Sequence, residues 1–209
     1  MNIIKSLQWR YATKKFNPEE HLSEEKLHIL KNAFNLTATS FGLQTIALLV
    51  VKNKELRTEL LPAAYNQRQI VDASHLLVLC IHDIIKEDDV DDLYDTLIDL
   101  RQTPETILEP YRKDLKDMME NMSREEQQEW SIKQAYIALG NLMTVCAVER
   151  IDSCPMEGFD RSQFDQILKL YDKGLKSILL LPVGYRATDD MFSEFKKVRK
   201  KLNDAVFEI

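Results

Sequence analysis

Apolar positions at helical spacing run through most of the chain. In "LSEEKLHILKNAF", Leu27, Leu30 and Phe34 share one side of a 3.6-residue period; Ser23 precedes them as a plausible N-cap, and Glu24 and Glu25 fall where a helix dipole favours anions. A stronger start lies in "SREEQQEW", where Ser123 and Glu126 form an S-x-x-E capping box ahead of Trp130. From Ala135 to Ala147 the same helix is apolar nearly all round, which predicts burial on several sides. Asp88 to Met122 also reads as helical: Val90, Leu93, Leu97 and Leu100 share a face, and Thr103-Pro104 marks a restart, since Pro fits a first turn.

Three aliphatic runs lack that period. Thr45–Lys52, Leu76–His82 and Ser177–Gly184 are short and bounded by polar or glycine signals, as expected of strands buried on both faces. The pattern predicts an α+β fold with a small central sheet sandwiched by helices. No repeat, linker or low-complexity tract divides the 209 residues, so a single domain over 1–209 is expected.

Composition narrows the chemistry. A formal net charge of -6 argues against a general nucleic-acid binder, so any basic site must be local. No apolar stretch has the length of a signal peptide or a membrane span, and Cys80, Cys146 and Cys154 form no C-x-x-C pair; a reduced, cytoplasmic protein without membrane attachment is expected. The four histidines are scattered with no H-E-x-x-H, so no metal site is expected. Five glycines in neither G-x-G-x-x-G nor P-loop spacing exclude a Rossmann fingerprint, and no G-x-S-x-G elbow is present.

Four short stretches remain. "RYATKKF" (10–16) packs three cations and two aromatics together: a solvated turn after a helix, or a holder for something anionic and flat. "TATSFGLQ" (37–44) is a hydroxyl-rich loop between helix and strand. In "CPMEGFD" (154–160), Gly158 allows positive φ or a close ligand approach, and Asp160 can cap a helix with Phe164, Ile167 and Leu168 on its apolar face. "FKKVRK" (195–200) is a basic cluster that reads alone as a solvated helix face or as an anion patch.

Taken together, the stretches resemble the nitroreductase family of flavin enzymes, in particular the oxygen-insensitive NAD(P)H nitroreductases and dihydropteridine reductases. Its R-[HY]-[SA]-T-K-x-F pattern is met by Arg10, Tyr11, Ala12, Thr13, Lys14 and Phe16; its S-S-x-N-x-Q-P-W loop, in altered form, by Thr39, Ser40, Gly42 and Gln44. N-x-R-x-x-x-D-A-S-H is met by Asn66, Arg68 and Asp72 to His75, P-x-E-G-F-D by Pro155 to Asp160, and the closing K-x-R by Lys197 and Arg199.

The resemblance implies FMN as cofactor and NADH or NADPH as co-substrate, with the chemistry carried by the flavin and no protein nucleophile. On it, Arg10, Lys197 and Arg199 hold the FMN phosphate, Lys14 lies at the pyrimidine end of the ring, and the Glu157 amide faces flavin N5. Tyr11, Ala12, Thr13, Asn66, Gln69, Pro155, Met156 and Gly158 complete the cofactor site. It further implies a homodimer in which Thr39, Ser40 and Gly42 reach the other subunit's flavin and the C-terminal segment is exchanged, around a mostly antiparallel sheet. Turnover of flat acceptors (nitroaromatics, quinones or pteridines) by a ping-pong mechanism is the expected activity; a flavin-binding storage or regulatory protein is the alternative. Gln69 replaces a Lys of close relatives, Thr45-Ile46 replace Pro-Trp, and Thr103 to Met122 yields only a helical cover with Met118, Met119 and Met122.

Overall fold

The computed structural model describes residues 2–209. Four antiparallel strands lie in the order β1-β2-β4-β3: β1 (Ile46–Val51), β2 (His75–His82), β3 (Asp152–Ser153) and β4 (Leu175–Gly184). All of β2 and β4 is buried except His82 and Lys176, because helices cover both faces. Strand period then divides the core. Leu76, Val78 and Cys80 meet Leu60, Ile70 and Phe164 of α3 (Lys54–Leu60), α4 (Gln69–Asp72) and α8 (Arg161–Ile167). Leu77, Leu79 and Ile81 face Leu30 of α2 (Glu24–Asn35) and Ala135, Ala138 and Leu142 of α7 (Arg124–Val148). Each fully buried aliphatic side chain contributes roughly 1.5–3 kcal/mol of transfer free energy.

The start signals form as read. Ser23 accepts from the Lys26 amide at 3.2 Å, and Ser123 and Glu126 exchange bonds of 3.2 and 2.7 Å. A third cluster joins α5 (Glu87–Arg101), α6 (Glu105–Glu120) and the start of α7 through Val90, Tyr94, Leu115 and Met119, with Leu43 inserted from the 37–44 loop. Met118 and Met122 pack against that cluster, so the methionines fill a core.

Several expectations are corrected. β1 is only partly buried along Ile46–Val50, because an edge strand has a neighbour on one side only. Helix α7 is not covered all round: Tyr136 and Ile137 are 41% and 51% exposed, since no other segment among the described residues lies over that flank. Leu100 projects into solvent at the last turn of α5, and Pro104 sits at the N-cap of α6, just ahead of its first turn. Residues 195–200 are irregular and exposed, not helical. The two-residue β3 escaped the pattern, being too short to show a period.

Gly184 ends β4 against the next layer: a Cβ there would lie 2.9 Å from the Ser74 amide nitrogen and 3.3 Å from the Phe16 ring. Backbone cannot yield as a flexible side chain does, so Gly184→Ala should destabilise the fold by about 1–3 kcal/mol. A urea midpoint equal to wild type would show that this contact is not a constraint.

Candidate functional site

Helix α1 (Ile3–Trp9) stops at Arg10, whose backbone turns extended (ψ 145°) while its amide still donates to Ser6 O at 3.1 Å. The chain then runs along the sheet edge. Ala12 bridges in parallel to Ser153 of β3, the Thr13 amide donates to Ser153 O at 3.3 Å, Phe16 bridges to Arg186, and the Asn17 amide donates to Tyr185 O at 2.8 Å. Residues 10–16 are therefore a fixed strand-like segment and not a solvated turn. Thr13 is fully buried, its hydroxyl 3.5 Å from Asp152, and acts beneath the surface.

Two buried carboxylates that the sequence reading missed fix this segment. Asp152 accepts from the Arg186 amide at 2.9 Å and Nε at 2.8 Å, and pairs with Nη2 at 2.6 Å. The Arg186 guanidinium lies 4.4 Å from the Trp9 ring centre and 4.6 Å from that of Tyr11, a cation–π arrangement on two rings. Asp190, 3% exposed, accepts from the Tyr11 hydroxyl at 2.8 Å and from the amides of Lys14, Lys15 and Phe192 at 2.9, 3.1 and 3.2 Å. Burial alone would raise its pKa; the four donors outweigh it and hold the carboxyl below the usual range. Burial, then the bond to Asp190, pushes the Tyr11 phenol upward, so it stays a donor. Asp190 lies 179 residues from Tyr11, and an Asp-Asp pair in a polar loop carries no local signal of that role.

The C-terminal segment returns over this edge. The Lys197 ammonium donates to Arg10 O, and Arg10, Tyr11, Ala12 and Lys14 line an open cleft of about 340 Å³ with Phe192, Phe195, Lys196, Lys197 and Arg199. No carboxylate lines it, and none of its cations is within ion-pair distance of an acid among the described residues. Burial and then Arg199 lower the Arg10 pKa; burial, then Arg10 and Arg199, lower that of Lys197. Arg10 Nε is buried without a hydrogen-bond acceptor. Crowded cations and an unpaired guanidinium donor make this cleft a candidate anion site.

A second wall adjoins the first through Ser153 and Cys154. Tyr65 and Asn66 adopt left-handed conformations (φ 53° and 59°), and the Gln67 side chain donates to Gly158 O at 2.7 Å, drawing the Asn66–Gln69 turn onto Pro155–Gly158. Buried Arg57 supports that turn from behind by donating to the carbonyls of Ile70 and Ala73. Met156 exchanges bonds of 2.9 and 3.0 Å with Leu180, whereas the Glu157 amide has no acceptor among the described residues. Gly158 lacks the positive φ allowed for it; a Cβ there would meet only Gln67 Nε2 at 3.9 Å, so glycine is not demanded by the chain's own contacts. Burial raises the Cys154 thiol against the opposing pull of Lys14 and Arg10, which keeps it an inert packing group.

Thr39, Ser40 and Gly42 lie elsewhere. The Ser40 amide donates to Gln134 of α7 at 2.9 Å, Thr39 Oγ1 is buried and unpartnered, and Gly42 (φ 72°) borders a separate cleft with Leu43, Gln44, Asp89 and Asp92. Within one chain the first two groups of residues converge and this third does not.

Asp190→Ala would strand three amide donors and a phenol, at a cost of about 2–4 kcal/mol. Because the folded pKa of Asp190 is depressed, its stabilisation is complete above the unfolded value near ~3.9 and is lost as pH falls through the folded one. Urea midpoints between pH 7 and pH 2.5 should therefore fall less steeply in Asp190→Asn than in wild type; parallel curves would contradict the assignment.

The profile of the Nitroreductase family matches residues 7–185. A candidate NAD(P)H nitroreductase of Staphylococcus epidermidis is 30% identical over 215 residues, covering 98% of this chain and 95% of its own. The oxygen-insensitive NAD(P)H nitroreductase of Salmonella typhimurium is 26% identical over 222 residues, covering 100% of each. Among solved structures, a candidate nitroreductase of Exiguobacterium sibiricum in complex with FMN has a TM-score of 0.83 at 20% identity, over 100% of this chain and 98% of that one, which establishes a shared fold. With the family pattern running from α1 to the residue after β4, this chain belongs to the nitroreductase family.

Proposed function

We propose that the protein is an FMN-dependent oxidoreductase that takes reducing equivalents from NADH or NADPH and delivers them to flat acceptors: nitroaromatics, quinones or pteridines. The observation that carries this reading is the convergence of Arg10, Lys197 and Arg199, without a carboxylate partner and with Arg10 Nε unsatisfied. A phosphate monoester brings about two negative charges and three acceptor oxygens, which matches that deficit. The names of the Staphylococcus and Salmonella relatives supply NAD(P)H, and the Exiguobacterium complex supplies FMN.

When bound, FMN provides the hydride chemistry, and the protein's task is binding, orientation and field. Arg10, Lys197 and Arg199 would hold the phosphate end. Lys14, on the segment that Asp190 fixes, would bring positive charge to the ring, where negative charge develops on reduction. The free Glu157 amide would donate to the ring edge, with Pro155 and Gly158 shaping its approach and the Asn66–Gln69 turn closing the wall. Gln69 brings no charge, so reduced flavin is less stabilised here than a Lys would make it.

The same reading includes a homodimer. Apolar side chains at Ile3, Ile4 and Leu7 of α1 and Tyr136 and Ile137 of α7 stand exposed on two helices that pack together, and Val198, Leu202 and Phe207 leave the body of the chain uncovered. A second copy seated there would bury these groups and offer its own Thr39–Gly42 loop to the site, while the C-terminal segment crossed to it. Residues 1–209 act in this reading as one FMN-binding unit in the cytoplasm. Among the described residues no helix is long and apolar enough to cross a membrane.

The purified protein should show flavin absorbance that bleaches with anaerobic NADH or NADPH and returns on adding a quinone. Colourless protein whose melting temperature ignores added FMN would refute the reading; bound FMN that neither nucleotide reduces would favour the storage or regulatory alternative. Arg10→Ala should raise the Kd for FMN by about tenfold or more, the loss of one charge-assisted phosphate contact. Ile137→Glu should convert dimer to monomer by light scattering and release FMN with it; a monomeric wild type holding FMN would exclude the assembly.

A further inference from the structure

We propose that a second cleft, beside the one assigned to the flavin phosphate, takes the 2′-phosphorylated adenosine end of the donor nucleotide, with Lys196 as its cation, so that the enzyme prefers NADPH. The proposal rests on the reading of the Arg10 cleft as the phosphate end of the flavin site. This neighbouring cleft, of about 290 Å³, is lined by Gln8, Trp9 and Ser193 and shares Tyr11, Phe195, Lys196 and Lys197 with the first, so that Lys196 stands at the border between the two.

Charge supplies the first argument. Arg10, Lys14, Lys196, Lys197 and Arg199 place five cations around the two clefts of a chain whose net charge is -6, and no carboxylate lines either. A flavin phosphate neutralises about two of those charges, leaving an uncompensated excess that a second phosphate monoester would match. Shape and rigidity supply the second. Two guanidiniums, Arg186 at 4.4 Å and Arg150 at 4.9 Å, approach the Trp9 indole, which holds it as a wall beside the cleft. Phe195, set edge-on to Phe192 at 5.3 Å between ring centres, offers a second aromatic surface, and the Gln8 amide and Ser193 hydroxyl add polar groups able to read a purine or ribose. A cation beside aromatic walls and hydrogen-bonding groups suits a phosphorylated nucleoside better than an inorganic anion.

Two measurements test this on the FMN-loaded protein. Titration by calorimetry should show 2′,5′-ADP binding about fivefold to tenfold more tightly than 5′-AMP, and Lys196→Gln should abolish the difference while Lys196→Arg retains it. In steady state, Lys196→Gln should raise KM for NADPH by a similar factor and by severalfold more than it raises KM for NADH. Equal binding of the two mononucleotides to wild type would overturn the proposal without any variant. So would a Lys196→Gln effect shared equally by NADH and NADPH, or one that appears only as weaker FMN retention. The flavin absorbance band reports FMN occupancy separately, so failure here is distinguishable from failure of the flavin reading.

Discussion

The site depends on two carboxylates that fold inward. Asp190 gathers the Tyr11 hydroxyl and the amides of Lys14 and Lys15, and Asp152 holds Arg186 between Trp9 and Tyr11. Desolvating a carboxylate costs several kcal/mol, offset only where every lone pair finds a donor and a cation stands close. Asp152 has the Arg186 guanidinium beside it and Asp190 has four donors, so the arrangement selects one conformation of residues 10–16. Without it, an extended basic segment would have little reason to stay at the sheet edge, and the Arg10 and Lys14 side chains would lose their common orientation.

That anchoring decides where charge is left over. The two acids spend themselves on backbone amides, a phenol and Arg186, and none faces the cations of the adjoining cleft. Burial first, and then the repulsion of neighbouring cations, lowers the pKa values of Arg10 and Lys197. An acidic protein thus carries a local basic spot that its own carboxylates leave unpaired, while its overall charge repels polyanions.

The three separate hydrophobic clusters assign different work to the layers. Sheet and flanking helices form the rigid support that carries Ser153, Cys154 and Met156 to the cleft. The α5–α6 hairpin has its own core, which Leu43, Ile85 and Trp130 of α7 join, and Gln127 of α7 donates to Met119 O at its end.

Much was written in local pattern. Helical caps at Ser23, Ser123 and Asp160, the strand runs, and the ordered motifs from Arg10 to Arg199 are legible because each arises from neighbours in the chain or from residue types in a fixed order. The edge exposure of β1, the open flank of α7 and the irregular course of 195–200 were not, because burial depends on what packs alongside and not on a segment's own period. Only the tertiary structure decided that Asp152 and Asp190 fix the basic segment, that Gln67 ties the Asn66 turn to Gly158, and that Thr39–Gly42 stand away from Arg10. Those contacts join positions tens to nearly two hundred residues apart, and a side chain's hydrogen-bond partner across such a span is set by the packed fold, not by the sequence around it.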